Sequence, residues 1–364
     1  MISERIAVKR LSVFLLLMGL FCAMGCTPSS GKIPVALMTK LESGSIVGSS
    51  EFNAGKLFLE DHKTANIDLI PFNDDWKAEK AVEAYQEVRA KGIPILITSH
   101  VSACAVAIKD QLNQDNILTF VTGATTDALT GQDDMILRDI QDVQSEQRSI
   151  AEHINTWPGD KLAIIRDTFN NAYTEPALKY FKQYLAKGSV RSLEISTEAL
   201  DTQAVQTYLR DAPFDTVYLL IGGYQSSAVG TLAQIVTQIN PQAKIMLTPW
   251  VKSPVLLEAA GSAIAQCTLP SHYPARGENQ AVDAYVDNYK ARFGYAPTFI
   301  SLNVYTALEI LHQALQNGCT SPDTIKAHVL KQKTFKTRFR TTTFDHFGDA
   351  AIPLYFVTDI PKEF

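Results

Sequence analysis

Ser102, the Gly123-Ala124-Thr125 turn, Tyr173, Tyr224 and Trp250 are the residues of this 364-residue chain whose types and settings could do chemistry. That chemistry is recognition of a small polar molecule. Ser102 follows an apolar run and opens a helical pattern, so its hydroxyl and the unbonded amides of a helix start can both donate to an oxygen anion. The same serine would also serve as a simple helix cap. Gly123 lets the backbone come close to a bound molecule, and the Thr125 hydroxyl can donate and accept; the segment also reads as a plain strand-to-helix turn. Tyr173 and Tyr224 each follow an apolar run and offer a flat face with a polar tip. Trp250 offers a stacking surface suited to an aromatic, amide or cationic face.

Motifs for covalent chemistry are missing. No Gly-x-Gly-x-x-Gly follows the first apolar run, where the loop reads Glu42-Ser-Gly-Ser-Ile-Val-Gly, and this argues against a dinucleotide site. There is no Gly-x-Ser-x-Gly elbow, no His-Glu-x-x-His and no phosphate loop. An exported α/β enzyme is the third-ranked reading, and no cofactor is expected. Two of the five cysteines lie in the first 26 residues; Cys104, Cys267 and Cys319 remain, with no Cys-x-x-Cys pair to suggest a metal. They read as packing residues, with at most one disulfide among them. A net charge of -5 excludes the basic excess of a nucleic-acid binder. The one basic cluster, Lys331 to Arg340, reads as a solvated face or hairpin edge.

The elements that must position the candidate residues alternate regularly. Apolar runs begin at Ile33, Ile67, Ile93 and Ile117, with helical patterns between them. The rhythm restarts after Asp142, with runs at 162–166, 190–195, 216–221, 244–247 and 265–269. Continuous apolar strands alternating with helices predict parallel sheets covered on both faces. Two such rounds predict an α/β protein of two doubly wound parallel-sheet lobes. Long helices follow at 281–293 and 302–316, and then a hairpin pairing 337–344 with 354–358 around Gly348.

The beginning of the chain has its own logic. Arg5, Lys9 and Arg10 precede a short apolar run from Leu11, too short for the roughly 20 residues of a membrane span, and small residues follow. This is the pattern of a secretory signal. Ala23-Met24-Gly25-Cys26 resembles the lipobox of bacterial lipoproteins, with Ala23 where leucine is usual. Cys22, the other cysteine here, follows bulky Phe21. The resemblance implies cleavage after residue 25, lipidation of Cys26 and a tether over 26–32. The mature body would then be anchored outside the cytoplasm, in the cell envelope.

From Ile33 to Ile360 the chain resembles the type I periplasmic binding proteins of the branched-chain amino acid and amide group. The resemblance rests on Ser99-His-Val-Ser-Ala, Gly123-Ala-Thr-Thr-Asp-Ala-Leu-Thr-Gly, Leu137-Arg-Asp-Ile-Gln-Asp, Ile221-Gly-Gly-Tyr-Gln, Ala291-Arg-Phe-Gly-Tyr-Ala-Pro-Thr and Phe344-Asp-His-Phe-Gly-Asp, in that order. It implies two lobes joined by three hinge crossings, one of residues 33–140 and 272–335, the other of 141–271 and 336–364. Ligand would lie in the cleft at the carboxyl ends of the strands, as is general for open α/β sheets.

The resemblance also implies roles. Ser102 would meet a ligand carboxylate, and Gly123, Ala124 and Thr125 the carboxylate and an ammonium. Tyr173 and Tyr224 would close from the other lobe. Trp250 stands where amino-acid binders of this group carry an acid, and Val47 where they often carry an aromatic. Either Asp142 or Glu146 substitutes for that acid, or the ligand has no free ammonium, because burying an ammonium without a countercharge costs several kcal/mol. The expected protein is a monomeric, non-enzymatic component of an ABC importer whose partners are a small molecule and a membrane permease. A ligand sensor on the same fold is the alternative.

Overall fold

The computed structural model describes residues 31–41, 46–98, 101–223 and 225–364. The signal, the lipobox with Cys26, most of the tether and Tyr224 lie outside the described residues. Residues Pro34–Phe364 pack as one unit.

The first half alternates as its apolar runs predict. In order come β1 (Ile33–Thr39), α1 (Ile46–Asp61), β2 (Ile67–Asn73), α2 (Ala78–Ala90), β3 (Ile95–Thr98), α3 (Ser102–Gln114), β4 (Leu118–Val121) and β5 (Ile136–Arg138). They build one sheet in the order β2-β1-β3-β4-β5, with β1, β3, β4 and β5 parallel. Val35, Ala36, Leu37 and Met38 of β1 are all fully buried. Both faces of this strand are covered, which is why its sequence does not alternate with polar residues.

A second round follows: α4 (Val143–Asn155), β6 (Lys161–Asp167), α5 (Asn171–Tyr184), β7 (Ser189–Ile195), α6 (Thr202–Arg210), β8 (Thr216–Leu220), α7 (Ser226–Ile239), β9 (Lys244–Met246), α8 (Pro254–Ala260) and β10 (Cys267–Ser271). Then come α9 (Gln280–Phe293), α10 (Phe299–Gln316), α11 (Pro322–Gln332), β11 (Thr334–Lys336), β12 (Thr341–Phe344), β13 (Ala350–Ala351) and β14 (Tyr355–Val357). The second sheet runs β14-β10-β9-β8-β6-β7, parallel except for β14. This is the two-lobed α/β architecture the sequence predicts. The first sheet ends with β5 and the second begins with β6, while β11, β12 and β13 form a third, three-stranded sheet.

Two local features differ from the reading of the apolar runs. Leu137-Arg138 lies in β5, a fifth strand of the first sheet that those runs do not include. The late hairpin is also divided. β12 pairs with β11 and β13, while Tyr355–Val357 pairs antiparallel with β10. A three-residue edge strand takes whichever ladder the tertiary fold leaves open. Cys104 and Cys267 are buried and Cys319 half-buried, and none is in a disulfide.

The basic cluster is more than a solvated face. Arg338 donates to Asp61 at 2.8 Å, and Arg340 donates to the Asp139 carbonyl at 2.6 Å. The Asp139 carboxylate lies 3.5 Å from the Arg340 guanidinium. Among the described residues, no helix is long and apolar enough to cross a membrane.

Candidate functional site

The carboxyl ends of the parallel strands carry most of the candidate residues. β3 leads into α3, whose first residue, Ser102, is 2% exposed. Val101 precedes it in extended geometry, and no side chain caps this helix start. The first amides of α3 therefore keep their capacity for an anion.

After β4 the chain enters Gly123-Ala124-Thr125. This turn is stapled from below by Arg138, which is fully buried. Its guanidinium donates to the Thr126 carbonyl at 3.1 Å and to the Thr130 hydroxyl at 2.9 Å, and it pairs with Asp349 at 2.8 Å. Thr125 accepts the Val143 amide through its carbonyl at 2.7 Å, which joins the turn to the start of α4.

From the second sheet, β6 delivers Asn170 and Tyr173, β8 delivers Gly222 and Gly223, and β9 delivers Trp250. Ser102, Gly123, Val101, Asn170, Tyr173, Gly223 and Trp250 line one cavity of about 10 Å³, room for about one water. Residues far apart in sequence and drawn from both sheets thus meet at one point. Ala124 and Thr125 are fully buried but are not on its wall. Asp142 is not there either; it caps α4, accepting from the Ser145 amide at 2.9 Å. Two larger depressions, of about 380 and 440 Å³, lie against α7 and α6. They bring no candidate residues together.

Behind the second-sheet wall lies a buried polar network. The Tyr173 hydroxyl donates to Glu146 Oε1 at 2.7 Å, and Gln147 Nε2 donates to the same oxygen at 3.0 Å. The Tyr218 hydroxyl donates to Gln147 Oε1 at 2.9 Å. His272 Nε2 stands 3.8 Å from Glu146 Oε2, both groups fully buried. The Trp250 ring packs edge-on against Tyr173, at 5.8 Å between centroids, and also against His272 and Phe299. Burial pushes the Tyr173 phenol well above its ordinary range and His272 below its own. The Tyr173 hydroxyl is committed to Glu146, so Tyr173 presents its ring to the cavity.

Sequence reasoning missed Asn170 and this network. A signal for the network existed: Val143, Glu146, Gln147, Ile150, Ala151 and Ile154 form the buried stripe of α4. Two polar residues on an apolar stripe announce a buried hydrogen-bonded cluster.

Asp139 beside the hinge sets a pH dependence. Burial pushes its carboxyl up to about 7, against the pull of Arg340. An ordinary aspartate in the unfolded chain titrates near 3.9. Between those values the folded state holds a proton that the unfolded state lacks. This penalty on stability is therefore full above pH 7 and fades as pH falls towards about 4. Asp139→Asn should be more stable than the parent at pH 8 and equal to it near pH 4, read by urea denaturation at both. A stability difference independent of pH would show that Asp139 does not titrate in this way.

A family model described as periplasmic binding protein matches residues 26–358. No curated protein matches the chain. Solved structures do. A leucine binding protein from Thermotoga maritima is 17% identical, with 90% of this chain and 96% of that one covered at a TM-score of 0.79. A branched-chain amino acid transporter substrate binding protein from Streptococcus pneumoniae, in complex with isoleucine, is 17% identical over 90% and 96% at 0.78. An ABC-transporter solute binding protein from Rhodopseudomonas palustris, in complex with 3,4-dihydroxybenzoic acid, is 18% identical over 89% and 92% at 0.79. At such identities the likeness shows the fold.

Proposed function

The chain belongs to the periplasmic binding protein family, and we propose that it is the lipid-anchored binding component of an ABC importer, holding a small aromatic carboxylate in its cleft. The family and the structural neighbours are solute-binding proteins, not enzymes. The family is extracytoplasmic. The lipobox-like Ala23-Met24-Gly25-Cys26 supports an anchor at Cys26.

One observation carries the ligand class. Among the described residues, the cavity wall has hydroxyl, amide, aromatic and backbone groups but no charged side chain. Ser102 and the amides of α3 suit a carboxylate. No acid lines the cavity opposite them to meet an ammonium: Trp250 occupies that place, Asp142 is spent as a cap, and Glu146 lies behind the wall, bonded to Tyr173 and Gln147. Neighbours in this fold bind both amino acids and aromatic acids; the Tyr173 and Trp250 rings favour the latter. The lobes of this reading divide near residues 140 and 271. The third crossing falls near 352–354, because Asp349, just before β13, bridges to Arg138 of the first sheet while β14 joins the second. The cavity is too small for such a ligand as it stands, so the lobes must part for entry. Contacts from both sides then stabilise the closed form, which is presented to the permease.

Isothermal titration of the purified protein with benzoate, its hydroxylated forms, leucine and isoleucine tests the reading. An aromatic acid should bind best. Ser102→Ala should weaken it about tenfold or more, the usual effect of losing a hydrogen bond to a charged group. Tight leucine or isoleucine binding with no response to the aromatic acids would overturn it. For the anchor, palmitate incorporation in cells should be lost in Cys26→Ser.

A further inference from the structure

Asn170 holds the position from which an asparagine normally caps a helix. It directly precedes α5, in non-helical geometry, and its carbonyl accepts from the Tyr173 and Thr174 amides at 3.0 and 2.9 Å. Asparagine is among the most favoured residues at this place because its side-chain oxygen accepts a helix amide. Here the side chain makes no cap bond. The residue is 5% exposed, it lines the cleft cavity, and its Oδ1 is buried with no hydrogen-bond partner. A buried carboxamide left unpaired costs more than the bond it forgoes, and such groups are rare in folded proteins.

The hydroxyl beside it on this wall is already occupied. The Tyr173 hydroxyl donates to Glu146 at 2.7 Å. The Trp250 indole nitrogen is likewise buried without a hydrogen-bond partner. Packing also fixes where Asn170 can be. A side chain at Gly222 would sit 3.2 Å from Asn170 Cβ and 2.9 Å from Tyr173 Cδ1, so the glycine admits both residues to the wall. The second-sheet side of the cavity thus offers two aromatic rings, an indole N–H that can only donate, and one uncommitted carboxamide oxygen that can accept.

We propose that the Asn170 carboxamide is the residue that selects among ligands, pairing with a neutral hydroxyl carried on the aromatic ring at the end away from its carboxylate. The inference rests on the aromatic-acid reading above. A carboxamide has both an acceptor and donors, so it can pair with a phenolic hydroxyl in either sense. A site built for a hydroxyl discriminates strongly against the analogue lacking one, because its own polar group is then left unpaired.

Titration with benzoate, 3-hydroxybenzoate and 4-hydroxybenzoate tests this on the parent protein, Asn170→Ala and Asn170→Ser. The parent should prefer one hydroxybenzoate over benzoate by tenfold or more. Both variants should lose that preference, the favoured hydroxybenzoate weakening at least tenfold more than benzoate. A merely structural role for Asn170 would weaken all three acids alike and leave their ratios unchanged. Equal binding of benzoate and both hydroxybenzoates by the parent overturns the inference alone. So does a preference that survives in both variants. If the parent binds none of the three acids, the aromatic-acid reading and this inference fall together.

Discussion

Replacing Arg138 by methionine should cost about 3–5 kcal/mol of folding stability, the range for removing one partner of a buried ion pair. Arg138 is fully buried, and its guanidinium does several things at once. It pairs with Asp349 of the strand-to-strand turn, and it supplies donors to the Thr126 carbonyl and the Thr130 hydroxyl. Methionine fills much of the volume and supplies none of these donors. Asp349 keeps only the Gly131 amide, at 2.8 Å. Arg138→Lys keeps the charge but loses the planar fork, and should fall between the two. The double variant Arg138→Met/Asp349→Leu should recover part of the loss, because an apolar pair no longer buries an unpaired charge. Urea denaturation reads all of these. A loss below about 1 kcal/mol in Arg138→Met would put this residue with the many ion pairs that contribute little.

Gly222→Val should abolish most ligand binding, by about 100-fold or roughly 2.7 kcal/mol, at a smaller cost in stability of about 1–3 kcal/mol. The reason is space. A Cβ at this position would lie 2.9 Å from Tyr173 Cδ1 and 3.2 Å from Thr174 Cγ2. Tyr173 cannot retreat, because its hydroxyl is tied to Glu146 and its ring is backed by Trp250. It must shift into the cavity it now lines. Gly222→Ala should show the same direction at smaller size. Calorimetry with the best aromatic acid and a thermal melt separate the two effects. Unchanged affinity in Gly222→Val would mean that Tyr173 does not border the ligand.

Much of this fold is legible in the chain because burial writes itself into composition. A parallel strand covered on both faces must be apolar throughout, so β1, β3, β4, β6 and β8 stand out as uninterrupted runs. The short strands carry too little sequence for that. β5 is only three residues long and ends in an arginine, and only one of the three residues of β14 is buried, so neither stands out as an apolar run, and their partners are chosen by which sheet edge is free. The hairpin read at 337–358 failed for that reason: Tyr355–Val357 found β10 instead.

The candidate site was legible to the same degree. Ser102, Gly123, Tyr173 and Trp250 each follow a strand, and the carboxyl ends of parallel strands converge, so their meeting at one cavity is the geometry such sheets impose. What residue type could not reveal is orientation. Asp142 and Asn170 are both good capping residues directly before a helix. Asp142 turns back onto its helix and accepts from Ser145, while Asn170 leaves its own helix uncapped. Sequence treats the two alike.

The amino-acid order by itself determined the alternation of strands and helices, the two rounds, and the absence of an acid at position 250, because these follow from local pattern and identity. Only the tertiary structure decided which side chains are already committed to one another. Glu146 holds Tyr173, Arg138 holds the Thr125–Thr130 turn, and the Asn170 side chain has no such partner. Hydrogen-bond pairing between residues distant in sequence depends on positions in space a few tenths of an ångström apart, and no local pattern encodes those.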